Sequence, residues 1–394
     1  MRGGRPPRGD HGAAVATADD RPVVTPLLTL AAVGIALVAV AGAAVVRRGR
    51  PVGGAELAVA GVAVAGGAAL GLVGVLVVTA ALSSFALAHL LYLVLVVTVP
   101  MVGVGLAALA WRRGAARWVW GVVVAALVPA ALGVYATHVE PYRLTVDRAV
   151  LAVDPARAGD DQVRIAVLAD LQTSGVGDHE RRAVDEVMAS HPDVILLPGD
   201  LFQGDMSDGD RDDMRRLLGR LQAPHGVWFV RGDSDGGDGG TADRILDGLD
   251  IEVLVDEVVH VPVGDRTLRL GGTSLQFGLD GPQRVRDELE TTPDDGPITL
   301  LVGHRPDNVL LLPSGSRVDL TVAGHTHGGQ IVVPGIGPLV TLSEVPRDVA
   351  RGGLHTVAGN PIYVSPGVGM ERGHAPQVRF LSRPTVAVLT LRDA

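Results

Sequence analysis

The chain contains no cysteine. Disulfides, thiolate metal sites and cysteine nucleophiles are therefore excluded, while the redox compartment is left open. Aromatic residues make up 3% of the sequence, too few for the stacking platforms that carry single-stranded bases. Basic charge is scarce as well, with 34 Lys and Arg against 43 Asp and Glu and a net charge of −9. No basic patch of the kind that tracks a nucleic-acid backbone stands out. Charge of either sign is sparse along one long stretch. Between Pro26 and Ala136 the chain is mostly Ala, Val, Leu and Gly, and after Thr137 a soluble composition rich in Asp and Arg returns. That contrast predicts a membrane module followed by a globular part large enough to bury its own core.

A helix crossing the hydrocarbon core needs about 20 apolar residues. Residues 26–46 supply one such stretch, ended by Arg47, Arg48 and Arg50. Residues 57–111 hold no Asp, Glu, Lys or Arg and suit two helices that break near Ser83 and Ser84, and residues 118–137 supply a fourth. The chain thus divides into a flexible tail (1–25), a membrane domain with about four spans (26–138), a linker and first strand region (139–162) and a soluble domain (163–394). Basic residues cluster in the first loop and in the third, at Arg112, Arg113 and Arg117, but not in the second. Four spans put both basic loops on one side, which is the cytoplasmic one. The soluble domain is then expected outside the cytoplasm, although Arg2, Arg5, Arg8 and Arg21 in the tail point the other way. Only Glu56 and His89 are ionisable within the spans, so the bundle reads as an anchor in a lipid bilayer rather than a transport path.

The soluble half alternates short apolar runs with amphipathic segments. Residues 163–169, 194–197, 227–230, 298–302 and 318–322 read as strands buried on both faces. Residues 180–190 and 210–221 have helical spacing, the latter with Met214, Leu217, Leu218 and Leu221 on one face. Residues 253–263 and 267–271 read as antiparallel strands. The class is α/β with a mixed sheet core. Asp170, Asp200, Asp233, His304 and the pair His325/His327 each follow one of these strands closely. Ligands in such sheets bind beyond the carboxyl ends of strands. Each residue alone has a plainer role, as a turn former or a helix cap, but so many strand ends delivering carboxylates and imidazoles to one rim favour a metal site. Oxygen and nitrogen donors without thiols suit Mn²⁺, Mg²⁺, Fe or Zn²⁺.

The blocks Asp170-Leu171-Gln172, Gly199-Asp200-Leu201-Phe202-Gln203, Gly232-Asp233-Ser234-Asp235, Gly303-His304 and Gly324-His325-Thr326-His327-Gly328-Gly329-Gln330 resemble, in content and order, those of calcineurin-like metallophosphoesterases. The last block and the segments 361–369 and 378–380 are similar to the YkuE-like, membrane-associated or exported bacterial subgroup. The resemblance covers about Val163 to Leu391 and none of the membrane half. It implies a four-layer αββα sandwich and two divalent metal ions, with Mn²⁺ favoured. It also implies hydrolysis of a phosphoester, phosphodiester or pyrophosphate bond by a hydroxide bridging the two metals. Asp170, Gln172, Asp200 and His327 would hold one ion, and Asp200 (as the bridge), Asp233, His304 and His325 the other. Asp200, Asp233, Ser234 and His304 would carry the catalysis. The substrate is a phosphate ester, and the membrane half suggests a lipid-linked or envelope-derived one.

Three positions depart from the family pattern. Gln172 stands where the family usually has His, Asp233 where it has Asn, and Ser234 where it has His. The first two shift the donor set from nitrogen toward oxygen, which favours Mn²⁺ or Mg²⁺ over Zn²⁺. The third removes a proton donor, which leaves three expectations: substrates with good leaving groups, another donor such as His179 or His374, or slow turnover. These losses motivate a second reading, a catalytically weak metal-binding sensor or scaffold. A third comes from Gly232-Asp233-Ser234-Asp235-Gly236, which fits the nucleophile elbow of serine hydrolases, with Ser234 as the nucleophile. It leaves the Gly-His-Thr-His-Gly-Gly block unexplained.

Overall fold

A computed structural model describes residues 84–98, 100, 116–153, 157, 162–275, 279–293, 296–373 and 375–393. The chain divides into two compact units, Met1–Ala130 and Ala131–Ala394. The expected tail, the first span and most of the second stretch lie outside the described residues. In the first unit, helix α1 (Ser84–Leu93) begins at the expected break and runs into a π turn, Val94–Thr98. Helix α2 (Ala116–His138) covers the expected fourth span. Among the described residues no helix is long and apolar enough to cross a membrane, so the spans themselves remain a proposal. The last turns of α2 belong to the second unit. There Gly133 and Ala136 are buried along one face while Leu132 and Val134 are exposed on the other.

The second unit is a sandwich of two six-stranded sheets. The first sheet is built from β1 (Thr145–Val153), β2 (Val163–Val167), β3 (Val194–Leu197), β4 (Val227–Phe229), β5 (Glu252–Val253) and β14 (Thr385–Asp393), in the order β1-β14-β2-β3-β4-β5. The second comprises β6 (Glu257–Val263), β7 (Arg266–Thr273), β8 (Ile298–Gly303), β9 (Leu320–Ala323), β12 (Gly353–Val357) and β13 (Asn360–Val364), in the order β12-β13-β9-β8-β7-β6. A small antiparallel hairpin, β10 (Val332–Val333) and β11 (Gly337–Pro338), stands apart from both.

Side chains alternate along a strand, and the sandwich uses both sides. Ile165, Val167 and Leu196 face the second sheet, where they meet Leu268, Leu270, Leu300, Val302, Leu320 and Val322. Ala166, Leu168, Ile195 and Leu197 point the other way, onto α3 (Asp178–Ala189), α4 (Asp208–Leu218) and α5 (Thr241–Leu246). The second sheet's outer face, with Leu301, Ile362 and Val364, packs on Val285 and Leu289 of α6 (Asp280–Glu290). The result is helix, sheet, sheet, helix. Two-sided burial is why the strands read as unbroken apolar runs.

The first strand expected within 139–162 is β1, which pairs in parallel with β14 at the edge of the first sheet and carries the sandwich ahead of Val163. One feature differs from the sequence reading. The run 253–263 is not one strand. Asp256, at φ +50°, turns the chain between β5 in the first sheet and β6 in the second. Its carboxylate accepts Ser274 N at 2.8 Å and Ser274 Oγ at 3.0 Å, fixing that corner. The expected antiparallel pairing holds between β6 and β7.

Candidate metal centre

β2, β3 and β4 run parallel, as do β8 and β9, so their carboxyl ends share a rim. Asp170, Asp200, Asp233, His304, His325 and His327 all lie in the loops leaving these ends. The loops are stitched to one another. Asp170 N donates to Gly199 O at 3.0 Å, Gln172 N to Asp200 O at 2.8 Å and Gly324 N to His304 O at 3.0 Å. Asp170, Gln172, Asp200, His325 and His327 have φ of +48°, +31°, +57°, +72° and +49°. Left-handed backbone is uncommon outside glycine and costs on the order of 1–3 kcal/mol per residue. Here it concentrates on the residues whose chemistry pointed to a site. Glycine makes the close approach possible. A Cβ on Gly232 would collide with the Asp200 carboxylate, and one on Gly324 would lie 2.6 Å from Asp170 Oδ2.

Two groups of donor atoms converge, Asp170/Asp200/His304 and Asp233/His304/His325, each within 4.8 Å. His304 Nε2 lies 3.5 Å from Asp200 Oδ2 and 3.4 Å from Asp233 Oδ2. His325 Nδ1 lies 2.8 Å from Asp233 Oδ2 and 3.2 Å from His304 Nε2. The outer partners place one ring proton on each histidine. A carbonyl only accepts, so His304 Nδ1 donates to Pro198 O at 2.8 Å and His325 Nε2 donates to Leu342 O at 3.2 Å. The remaining nitrogens face the cluster, which is how second partners orient imidazole ligands.

The electrostatics match an anionic cavity. Burial opposes the charged form of His304, but Asp200, Asp233 and Asp170 raise it to about 10. Burial pushes Asp170 up to about 7, against the pull of His304. Burial also raises Asp233, yet His304, His325 and Arg305 together hold it well below the usual carboxylate range. His327 is driven well below the ordinary histidine value by burial and by Arg379, so it is a neutral imidazole, the form that binds metals.

Gln172 and His327 stand outside the two converging groups, and both carry orphaned atoms. Both ring nitrogens of His327 and Oε1 of Gln172 are buried without a hydrogen-bond partner among the described residues. Gln172 Nε2 donates to Gln203 Oε1 at 3.2 Å and to Glu371 Oε2 at 3.3 Å, leaving the oxygen free. Buried polar atoms left this way call for a ligand. The donor set of carboxylates, imidazoles and one amide oxygen fits divalent cations.

Other contacts were not legible in the sequence. Asp235 is fully buried and accepts Asp200 N at 2.7 Å, Leu201 N at 2.8 Å and Gly232 N at 2.6 Å. It clamps two of the loops together. Arg305 donates to Asp233 Oδ1 at 2.7 Å, which offsets the extra charge of Asp at this position. Ser234 donates its N–H to Asp200 Oδ1 at 2.8 Å, while its buried Oγ has no partner. Among the described residues no hydrogen bond joins Ser234 to a histidine, and Asp235 is spent on the backbone, so the serine-nucleophile reading finds no base there. His179 Nε2 donates to Val368 O at 3.1 Å and is committed there. His374 lies outside the described residues.

Residues 163–329 match the family model described as calcineurin-like phosphoesterase. Phosphodiesterase YaeI of Escherichia coli is 30% identical over 205 residues, 51% of this chain and 70% of that protein. The chain belongs to the calcineurin-like phosphoesterase family. An uncharacterized metallophosphoesterase of Bacillus subtilis, YkuE, is 28% identical over 72% of this chain and 98% of its own length. A Danio rerio transmembrane protein with a metallophosphoesterase domain is 25% identical over 69% of this chain and 63% of its own. The family match ends at Gly329. Glu371, Arg379, β13 and β14 lie beyond it, although Glu371 reaches back to Gln172.

Proposed function

We propose that this phosphoesterase is anchored in a membrane, faces out of the cytoplasm and cleaves a phosphoester, phosphodiester or pyrophosphate bond at the rim described above. The observation that carries the reading is the convergence of Asp170, Asp200, Asp233, His304 and His325, beside the unpartnered Gln172 Oε1 and His327 nitrogens. Asp170, Gln172, Asp200, Asp233, His304, His325 and His327 would hold two divalent cations. Two such ions supply charge neutralisation at a phosphoryl group and a nucleophile at neutral pH. The oxygen of Gln172 and the charge of Asp233 favour Mn²⁺ or Mg²⁺ over Zn²⁺. Anchoring is supported by the uncharged stretches before Ala136 and by the Danio rerio relative's description as a transmembrane protein.

The chain's own residues prepare the site. Pro198 O and Leu342 O fix the tautomers of His304 and His325. Asp235 holds the Asp200 and Gly232 loops in register. The hydroxyl of Ser234 offers one hydrogen bond to a phosphoryl oxygen, but it is a poor acid beside the imidazole usual in the family. Lost general-acid help costs about 10²–10⁴ in rate, so substrates whose leaving group departs as a weak base are favoured. A pyrophosphate bond meets that need, as does an ester whose departing alcohol is acidic; the diester class is supported separately by the YaeI description as a phosphodiesterase. The same Ser234 supports a second reading, a metal-binding sensor or scaffold with little turnover.

The deciding experiment is hydrolysis of chromogenic mono- and diesters by the full chain in detergent, with Mn²⁺, Mg²⁺ and Zn²⁺ in turn. Metal-dependent diester cleavage, abolished by Asp200→Asn, is the expected result. Tight metal binding without turnover on either ester would replace the enzyme reading by the sensor one.

A further inference from the structure

Residues 331–342 read Ile-Val-Val-Pro-Gly-Ile-Gly-Pro-Leu-Val-Thr-Leu, with no charge. They form the β10–β11 hairpin and its flanks, and they expose Ile336, Leu339, Val340 and Leu342 by 60, 49, 47 and 48%. Apolar side chains gathered on one exposed loop mark a contact surface. The anchors at its two ends indicate what that surface meets.

At the first end, Ile331 forms a parallel bridge with Phe380, and Val332 N donates to Phe380 O at 2.9 Å. The Phe380 ring stands edge-on to Tyr135, with centroids 6.4 Å apart, and Arg379 N donates to Ala136 O at 2.9 Å. Tyr135 and Ala136 lie in the last turns of α2, where the apolar half of the chain ends. Leu132 and Val134 are exposed on the same turns. At the other end, the carbonyl of Leu342 holds His325 Nε2 at 3.2 Å. The hairpin therefore runs from the point where the apolar half enters the sandwich to the rim of the metal centre.

We infer that residues 331–342 form a second membrane-contacting element, seated in the bilayer interface beside the end of α2, which sets the metal centre against the lipid surface. The inference rests on the proposed anchoring and deepens it. The occupant is lipid, because the hairpin is continuous with the segment through which the chain's own apolar half arrives. An apolar element lying in the interface plane binds through the area it buries there. The substrate favoured by this placement is an amphiphilic phosphate ester, its phosphate at the centre and its apolar tail left in the bilayer.

The absence of cysteine makes the test direct. Leu339→Cys, Val340→Cys and Asp265→Cys each give one nitroxide-labelling site on the full chain in lipid nanodiscs, with Mg²⁺ in place of paramagnetic Mn²⁺. Asp265 sits in the β6–β7 turn, at the end of the second sheet opposite the rim. Labels at 339 and 340 should collide more with oxygen than with a water-soluble nickel chelate, and the label at 265 should do the reverse. If all three prefer the chelate while the protein stays in the discs, the hairpin does not touch lipid and the inference fails alone. If the protein leaves the discs, the anchoring reading fails and takes the inference with it. A variant combining Ile336→Ser, Leu339→Ser and Val340→Ser supplies the substrate arm. It should lose at least fivefold in kcat/KM for a long-chain phosphate ester in the discs and keep its value for a short-chain ester. Equal loss on both esters would overturn the amphiphile assignment.

Discussion

Gln172 shows how much one residue's role depends on partners far away in the chain. A carboxylate only accepts hydrogen bonds, so Glu371 settles which end of the Gln172 amide is NH₂ and leaves Oε1 without a partner. Gln203 closes the arrangement, accepting from Gln172 and donating its own Nε2 to Glu371 Oε1 at 2.9 Å. Glu371 is thus a positioning residue for an oxygen donor. Glu371→Ala should weaken Mn²⁺ binding by roughly 10–100-fold, the usual effect of removing an outer partner. Gln172→His should shift preference toward Zn²⁺. Calorimetric titration reads both without relying on turnover, and an unchanged Mn²⁺ affinity in Glu371→Ala would remove Gln172 from the ligand set. The positions of Asp170, Asp200, His304 and His325 were legible because each lies within three residues of the end of an apolar run. Glu371 was not, since it acts across 199 positions and belongs to no motif. Asp235 was visible as a residue but not as a clamp, because burial and backbone acceptance leave no trace in sequence.

At the scale of elements, the strands were legible and the corners were not. Two-sided burial writes an apolar run at β2, β3, β8 and β9, whereas the switch of sheet at Asp256 depends on a hydrogen bond to Ser274. The insertion of β14 between β1 and β2 also brings together segments from opposite ends of the domain. The loop 366–369 is a further case. Val368 N and Gly369 N donate to Asp170 O at 3.2 and 2.7 Å, so this loop buttresses a candidate ligand. The loop is held in turn by Arg379, whose buried guanidinium donates to Pro366 O at 2.8 Å, Gly367 O at 3.2 Å and His327 O at 3.3 Å, and also to Gly369 and Ser382 carbonyls. Lysine offers fewer donors and no fork, and each buried carbonyl left unpaired costs about 1–3 kcal/mol. Arg379→Lys should therefore destabilise the domain by about 3–5 kcal/mol, a fall in Tm on the order of 10 °C for a unit of this size. Thermal unfolding of the full chain in detergent measures it. A shift below about 2 °C would mean that the loop holds its place without the arginine.

The whole molecule joins a charge-poor half to an acidic one, and the side expected for the second half follows from a handful of arginines. Arg47, Arg48 and Arg50 flank one proposed span and Arg112, Arg113 and Arg117 another, with no Lys or Arg in the loop between the second and third. Short loops rich in Arg stay cytoplasmic, while neighbouring Asp and Glu count for little. With four spans both clusters are cytoplasmic only if the chain leaves the last span on the outer face. The tail arginines at 2, 5, 8 and 21 favour the opposite arrangement, but they are four against the six of the two internal loops. The paired internal loops are expected to prevail. Protease added to intact spheroplasts should then degrade the sandwich, and a cytoplasmic marker protein should survive in the same sample. Degradation only after lysis would place the sandwich in the cytoplasm. That outcome would replace an envelope phosphate ester by one presented on the inner leaflet, without disturbing the metal centre.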